Sequence, residues 1–522
     1  MTEVQAQTVG FWSIADRWPE RTAIVGADGT SITFGQLRDD AEHAAAGLRA
    51  LGLERGDGLA VVLPNVASFF TAYLAAMSAG LYLTPVNSHL APPEIAHVLT
   101  DCEAGAVIVH EDLVEVCAAG VDGARFAERS RFADRSADGY RAVSELIDQG
   151  RSTPPLESRG TGAVMMYTSG TTGKPKGVRR PLPEGSPDEV LGEVSSIYCR
   201  GFGMPFDAVH LVCGPLYHAG PFSAATSALH TGNTVVLMDK WSPEECLRLV
   251  EEHRVTSTQM VPTMFHRLLA LDENVRSRAD VSSVASVMHT GAPCPTHVKQ
   301  RFMDWFGPVV YETYGGTESV ATIATPRRWL QKPGTVGKPV HGVAIHIVGE
   351  NGVDLPVGEV GAIYIEHHNG TRSEYFKDPD KTASMRLGDW VTLGDVGYLD
   401  DDGCLFLRDR DVDLIISGGV NVYPAEVESV LLASDLVLDT AVIGVPDDEW
   451  GEKVLALVEL VAGVDDRDQA RRQLLDFCDG RLARFKRPRQ IEFVDDLPRL
   501  PSGKVQKRLL REPYWAAAER SI

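Results

Sequence analysis

Residues 167–177, YTSGTTGKPKG, concentrate groups that can hold a polyphosphate. Three glycines let backbone N–H groups come close and turn sharply. Four hydroxyl residues, Thr168, Ser169, Thr171 and Thr172, can donate to phosphate oxygens, and Lys174 and Lys176 add point charge. The spacing is not that of a P-loop: Thr168 stands where the first glycine would be, and Pro175 follows Lys174 where Ser or Thr is needed. Taken alone, such a run is equally a flexible surface turn. Five further segments carry reactive residue types. Residues 311–319 (YETYGGTES) and 392–403 (TLGDVGYLDDDG) are turn-rich and carry carboxylates; 496–508 (DLPRLPSGKVQKR) carries Lys504. Residues 214–221 (GPLYHAGP) and 289–294 (HTGAPC) carry histidines among small residues. Each has a bland alternative: a helix start at Thr317-Glu318, a turn aspartate at 395, a tail lysine at 504, a structural histidine at 218.

The elements that must position these segments can be read from hydrophobic patterning. Short apolar runs at 59–63, 106–109, 209–212 and 234–238 suit strands covered on both faces. Ser242, Pro243 and Glu245 announce a helix, with Ser242 as cap, Pro243 in the first turn and Glu245 completing a capping box. Strands alternating with helices give the α/β class. After residue 403 the pattern changes. A strand at 404–407 is followed by a charged break at 408–411, and then by a short strand at 414–416, the pair Gly418-Gly419, an amphipathic stretch at 425–432, buried runs at 440–445 and 454–461, and a helix near 469–482. That is a small α+β unit, and the boundary falls near Asp411. Two domains, 1–411 and 412–522, follow.

Bulk properties bound the partners. The chain has 522 residues, too many for one ordinary core. Its formal net charge of −22 argues against a nucleic-acid backbone as partner but permits one cationic pocket for a small polyanion. The eight cysteines form no CxxC pair, which disfavours zinc or a disulfide framework and points to a reduced, cytoplasmic setting. No secretory leader is expected from the N-terminus. Residues 58–93 contain no Asp, Glu, Lys or Arg, but Pro64, Asn65, Gly80, Pro85 and Asn87 interrupt them. A strand, a buried helix and a strand are expected there, and no membrane span.

The whole string at 167–177, with the other segments in the same order, resembles the adenylate-forming superfamily of acyl-CoA synthetases, peptide-synthetase adenylation domains and luciferases, from about Phe11 to Leu510. The resemblance implies a large N-terminal domain of several layered subdomains and a small mobile C-terminal one. It implies that Thr168, Ser169, Gly170, Thr171, Thr172, Gly173, Lys174 and Lys176 cradle the polyphosphate of ATP, with Gly291, Ala292, Tyr314, Gly315 and Thr317 completing the nucleotide site. Tyr314 lies against adenine, Asp395 and Arg410 hold the ribose, and Glu318 holds Mg²⁺. Lys504, with Glu318 and Thr168, serves the chemical step, in which a cation placed where charge builds stabilises the transition state. Tyr217, His218, Ala219, Gly220 and Gly291 line the acid pocket, and Gly418-Gly419 a tunnel for coenzyme A.

The expected reaction has two half-reactions. A carboxylate attacks the α-phosphorus of ATP, giving acyl-AMP and pyrophosphate; a thiol then takes the acyl group and AMP leaves. Small residues and the lack of a cation or a dedicated Asp favour a fatty, aryl or polycyclic acid over an amino acid. One departure stands out: the hinge position, usually Asp or Lys, is Val412, which cannot exchange hydrogen bonds between two domain orientations, although Asp411 or Asp413 could serve. This leaves open a partial ligase that makes only the adenylate for a carrier protein, or only the thioester from a supplied adenylate. A non-catalytic nucleotide-binding protein is disfavoured by the joint presence of Lys504, Glu318, Asp395 and Arg410.

Overall fold

The computed structural model describes residues 8–124, 126–154, 156, 160–168, 175–292, 294–317, 320–349, 351–368, 373–410, 415–417, 420–447, 450–479, 481–484, 486–499 and 505–516, with backbone alone at 409, 410, 416, 420, 421 and 451. The charge-free stretch forms strand Gly58–Val62, helix Ala67–Ala79 and strand Tyr82–Pro85. The helix is buried almost all round, as expected of one enclosed by protein. It ends at Gly80, whose φ of 73° a side chain would resist. The two strands then pair in parallel. Among the described residues no helix is long and apolar enough to cross a membrane.

Two large sheets organise the N-terminal part. One has six parallel strands in the order Arg141–Ala142, Arg131–Ala133, Ala104–Val109, Gly58–Val62, Tyr82–Pro85 and Ala163–Val164. The other has nine strands. Its parallel centre runs Val310–Gly315, Ser286–His289, Ser257–Met260, Val209–Val212, Thr234–Leu237 and Thr22–Val25, with antiparallel strands at both edges. Helices Ala67–Ala79 and Ala219–His230 meet in one core, where Phe222 packs edge-on against Tyr73, ring centres 5.3 Å apart.

A third, antiparallel sheet is built from Val343–Val348, Gly361–His367, Arg386–Leu387, Trp390–Leu399 and Leu405–Arg410. The charged break expected at 408–411 is absent from its described part, since the strand runs through Arg410 with Asp395 opposite it. Antiparallel pairing uses the backbone, so a run of charged residues does not stop it; Arg408 lies over the ring of Tyr398 at 5.1 Å. The expected turn at 400–402 exists, but Lys332 pairs with both Asp400 and Asp402, so it is tethered rather than merely solvated.

The C-terminal part is the expected small α+β unit. Strands Ile415–Ser417, Val420–Val422, Val437–Asp447, Gly451–Leu460 and Gln490–Phe493 form one sheet. Helices Pro424–Leu431 and Arg467–Cys478 cover it, with Val427, Leu431 and Leu474 in its core. Helix Pro243–Glu252 is capped as expected by Ser242, which accepts from the Glu245 amide at 3.1 Å. The reciprocal half of the box is missing. Both Glu245 carboxylate oxygens take Arg248 at 2.7 Å, because a guanidinium fork is a stronger partner than a backbone N–H.

Candidate active site

Three of the reactive segments leave the C-terminal ends of parallel strands in the nine-stranded sheet: 213–221 after Val209–Val212, 290–292 after Ser286–His289, and 316–317 after Val310–Gly315. In open parallel sheets that edge is where ligands collect. The strand between the first two, Ser257–Met260, brings a fourth participant, Gln259.

Segment 213–221 is fixed from outside. Asn65 Oδ1 accepts from the Leu216 amide at 3.0 Å, while its Nδ2 donates to the Gly214 carbonyl at 3.1 Å and the Met238 carbonyl at 3.2 Å. Tyr217 is buried and its hydroxyl meets no partner among the described residues; the same holds for His218 Nε2. Burial draws the His218 imidazole down to about 4, so it is neutral at pH 7. Ala219 and Gly220 open helix Ala219–His230. A Cβ on Gly220 would lie 3.3 Å from Thr290 Cγ2 and 3.4 Å from Gln259 Nε2, so segments 217–220 and 290–292 are in contact. Gly291 has a φ of 89°, which explains a glycine there, and Ala292 follows it.

On the other flank, Tyr314 and Asp395 meet. Tyr314 Oη donates to Asp395 Oδ2 at 2.9 Å, with both residues less than a tenth exposed. Asp395 is therefore not a turn aspartate: it lies within strand Trp390–Leu399, opposite the backbone of Arg410. Gly315 closes strand Val310–Gly315, and the Thr317 carbonyl accepts from Arg180 Nη2 at 3.0 Å. The segment runs on into strand Val320–Ala324, not into the helix that Thr317-Glu318 alone would suggest.

The two flanks of the glycine-rich run pair with each other. Strands Met166–Thr168 and Lys176–Arg179 pair antiparallel, Thr168 opposite Lys176, and Glu374–Tyr375 pairs on the outer side. Tyr167 anchors the first strand, donating to Asp101 Oδ2 at 2.6 Å. Lys176 is engaged by Asp378, whose carboxyl it holds below the usual carboxylate range together with the Lys381 amide. Ser169, Gly170, Thr171, Thr172, Gly173, Lys174, Glu318, Gly418, Gly419 and Lys504 lie outside the described residues, as do Val412 and the Arg410 side chain.

Sequence reasoning missed four polar residues behind these segments. Asn65 registered only as turn punctuation, and Gln259 gave no signal. The other two are Lys299 and Glu312. Glu312 is buried in strand Val310–Gly315, with Oε2 2.7 Å from Lys299 Nζ and Oε1 3.2 Å from His289 Nε2. Burial alone would raise its carboxyl; Lys299 and His289 outweigh that and bring it to about 2. Burial keeps His289 below its usual range. A glutamate alternating with Val310 and Tyr314 on the buried face was a legible oddity.

Comparison with known proteins gives the family. Residues 11–376 match the AMP-binding enzyme family and residues 426–504 the AMP-binding enzyme C-terminal domain. The chain is 34% identical to a feruloyl-CoA synthase of Amycolatopsis sp over 520 residues, covering 97% of this chain and 99% of that protein. It is 30% identical to the fatty acid–[acyl-carrier-protein] ligase ScoC of Streptomyces coeruleorubidus, over 99% of this chain and 97% of that protein. Among solved structures, o-succinylbenzoate CoA synthetase of Bacillus subtilis with its acyl-adenylate intermediate superposes with a TM-score of 0.78 at 29% identity, over 96% of this chain and 97% of that one. With a fold, a strand-edge site and family matches over both parts, the chain belongs to the adenylate-forming superfamily, as an AMP-binding enzyme of the AMP-forming acyl-CoA synthetase type.

Proposed function

We propose that the protein joins a hydrophobic carboxylic acid to coenzyme A through an acyl-adenylate, with the acid seated between segments 217–220 and 290–292. The observation that carries this reading is the close approach of Thr290 and Gln259 to Gly220, where a Cβ would already touch both, at the same sheet edge as the buried Tyr314–Asp395 pair. It supports an acid pocket beside a nucleotide pocket. Segments 217–220 and 290–292 contain no charged side chain apart from His218, and burial keeps that one neutral. An uncharged lining favours an aryl, fatty or polycyclic acid over an amino acid.

In the first half-reaction a carboxylate oxygen of the acid attacks the α-phosphorus of ATP. The acyl–oxygen–phosphorus link forms, the α–β bridge breaks and pyrophosphate leaves. Tyr314 offers its ring to adenine, and Asp395 with Arg410 binds the ribose hydroxyls. Residues 168–174 surround the leaving polyphosphate, and Lys504 neutralises charge between the carboxylate and the α-phosphate. Mg²⁺ supplies charge neutralisation on the phosphate oxygens, and Glu318 is the carboxylate suited to hold it. In the second half-reaction the sulfur of coenzyme A, entering beside Gly418-Gly419, bonds to the acyl carbon; the acyl–oxygen bond breaks and AMP leaves. Residues 412–522 form the part that reorients between steps, in a cytoplasmic enzyme.

A carrier protein in place of coenzyme A is the second reading. The similarity to ScoC and the apolar hinge residue Val412 favour it. A panel of acids with ATP, read in parallel by AMP release with coenzyme A and by pyrophosphate exchange without it, separates the two. Exchange without coenzyme A-dependent turnover assigns the carrier. Silence in both assays across the panel refutes acid activation. In the active case Lys504→Ala cuts adenylation at least ~100-fold while ATP binding persists.

A further inference from the structure

A second layer of charge lies directly behind the site. His289 ends strand Ser286–His289, and Lys299 lies in helix Thr296–Phe306, which begins just past the turn at 290–295. These two residues therefore bracket the turn that contains Gly291 and Ala292. Both converge on one carboxylate, Glu312, at 3.2 Å and 2.7 Å. His289 and Glu312 are also direct neighbours across the parallel ladder. Glu312 shares the buried face of its strand with Tyr314, two residues on. Lys299 is fully buried, with its ammonium 4.8 Å from the centre of the Trp329 ring.

Stability does not explain such a network. A buried ion pair replaced by apolar groups of like volume is often neutral or stabilising, while its geometry is far more directional than apolar packing. What the pair specifies here is a relative position. One side chain, ion-paired with Lys299 and lying 3.2 Å from His289 Nε2, ties the helix that follows Gly291–Ala292 to the strand that delivers Tyr314. A displacement of ~1 Å at such a point is enough to cost an enzyme up to two orders of magnitude.

We propose that Glu312, paired with Lys299 and lying against His289, is a positioning residue that sets the turn at 290–292 against Tyr314 and so holds the nucleotide pocket in its binding geometry. The inference rests on the assignment of that pocket to ATP, and its test needs only ATP binding. The variant Lys299→Met/Glu312→Gln removes both charges together and keeps volume. Calorimetric titration of the full chain with ATP, without acid, gives Kd, and thermal unfolding gives stability. The double variant is expected to unfold within a few degrees of the parent yet bind ATP about tenfold more weakly. With an active acid, KM for ATP rises by a like factor while kcat at saturating ATP changes much less.

Glu312→Asp keeps the charge but shortens its reach by one methylene, and is expected to weaken ATP binding in the same direction. Parental Kd in a folded double variant, or in a folded Glu312→Asp should the double variant not fold, overturns the proposal. So does failure of both to fold, which makes the network purely structural. A parent that binds ATP but activates no acid refutes the reaction and leaves this comparison intact. A parent that binds no ATP overturns both.

Discussion

Tyr314→Phe isolates one hydrogen bond at the centre of the site. It keeps the ring face and removes only the hydroxyl that donates to Asp395 Oδ2 at 2.9 Å. Both residues are less than a tenth exposed, so water cannot readily replace the donor. A hydrogen bond to a carboxylate is worth ~1.5–3 kcal/mol, more than a neutral pair. Fully expressed in nucleotide binding, that is ~10-fold to ~150-fold in Kd. Because Asp395 has further partners, part of its orientation survives, and the lower end, about tenfold, is expected. ATP titration by calorimetry measures it, and AMP release against ATP concentration gives the matching rise in KM. Tyr314→Leu, which also loses the ring, should bind more weakly still. If Tyr314→Phe leaves Kd and KM within about twofold of the parent, the hydroxyl does not orient Asp395 for a ligand, and the pair is only a packing contact.

Two other outcomes are expected. Asp378→Asn releases Lys176 from its partner at the start of strand Lys176–Arg179. KM for ATP in the AMP-release assay should rise a few-fold if the pair anchors that strand, and a fall in KM would instead make the freed lysine a phosphate ligand held in check. Acidification should destabilise the fold through His210 and His230, which burial holds at about 3 against 6.5 when exposed. The unfolded chain takes up these protons first, so their contribution is intact above about pH 6.5 and is lost as pH falls, by ~2 kcal/mol each near pH 5. Chemical unfolding across that range checks this, and His230→Gln should flatten the curve. A stability flat between pH 7 and 5 contradicts it.

How much could be read from the chain differs by the kind of signal. Continuous apolar runs located the buried strands within a residue or two: 209–212 was met by Val209–Val212, and 234–238 by Thr234–Leu237. The reason is physical, because a strand covered on both faces needs apolar side chains on both. The continuation of strand Leu405–Arg410 past residue 407 is not legible in the sequence because backbone pairing needs no apolar side chain. Asp395 read alone was a turn residue; only the resemblance gave it a role. Its partner Tyr314 lies 81 residues away, and no local spacing encodes that.

The residues that no pattern revealed have one property in common. Asn65 reaches Gly214 across 149 positions, Gln259 comes from a neighbouring strand, and Glu312 draws its two partners from a strand and a helix that precede it. Each is a buried or half-buried polar side chain; Asn65 holds the backbone of a site segment, Glu312 ties down the strand that delivers another, and Gln259 lies against Gly220. A segment rich in glycine and hydroxyls can meet a phosphate only if its ends are held elsewhere, because such sequences have little rigidity of their own. The short motifs therefore carry the chemistry, and long-range polar anchors supply the geometry. If Val412 is the hinge, as the proposed function has it, its change of residue type leaves these N-terminal anchors in place. The two half-reactions can then differ in rate without any loss in the nucleotide pocket, which is why ATP affinity and coenzyme A-dependent turnover must be measured separately in this enzyme.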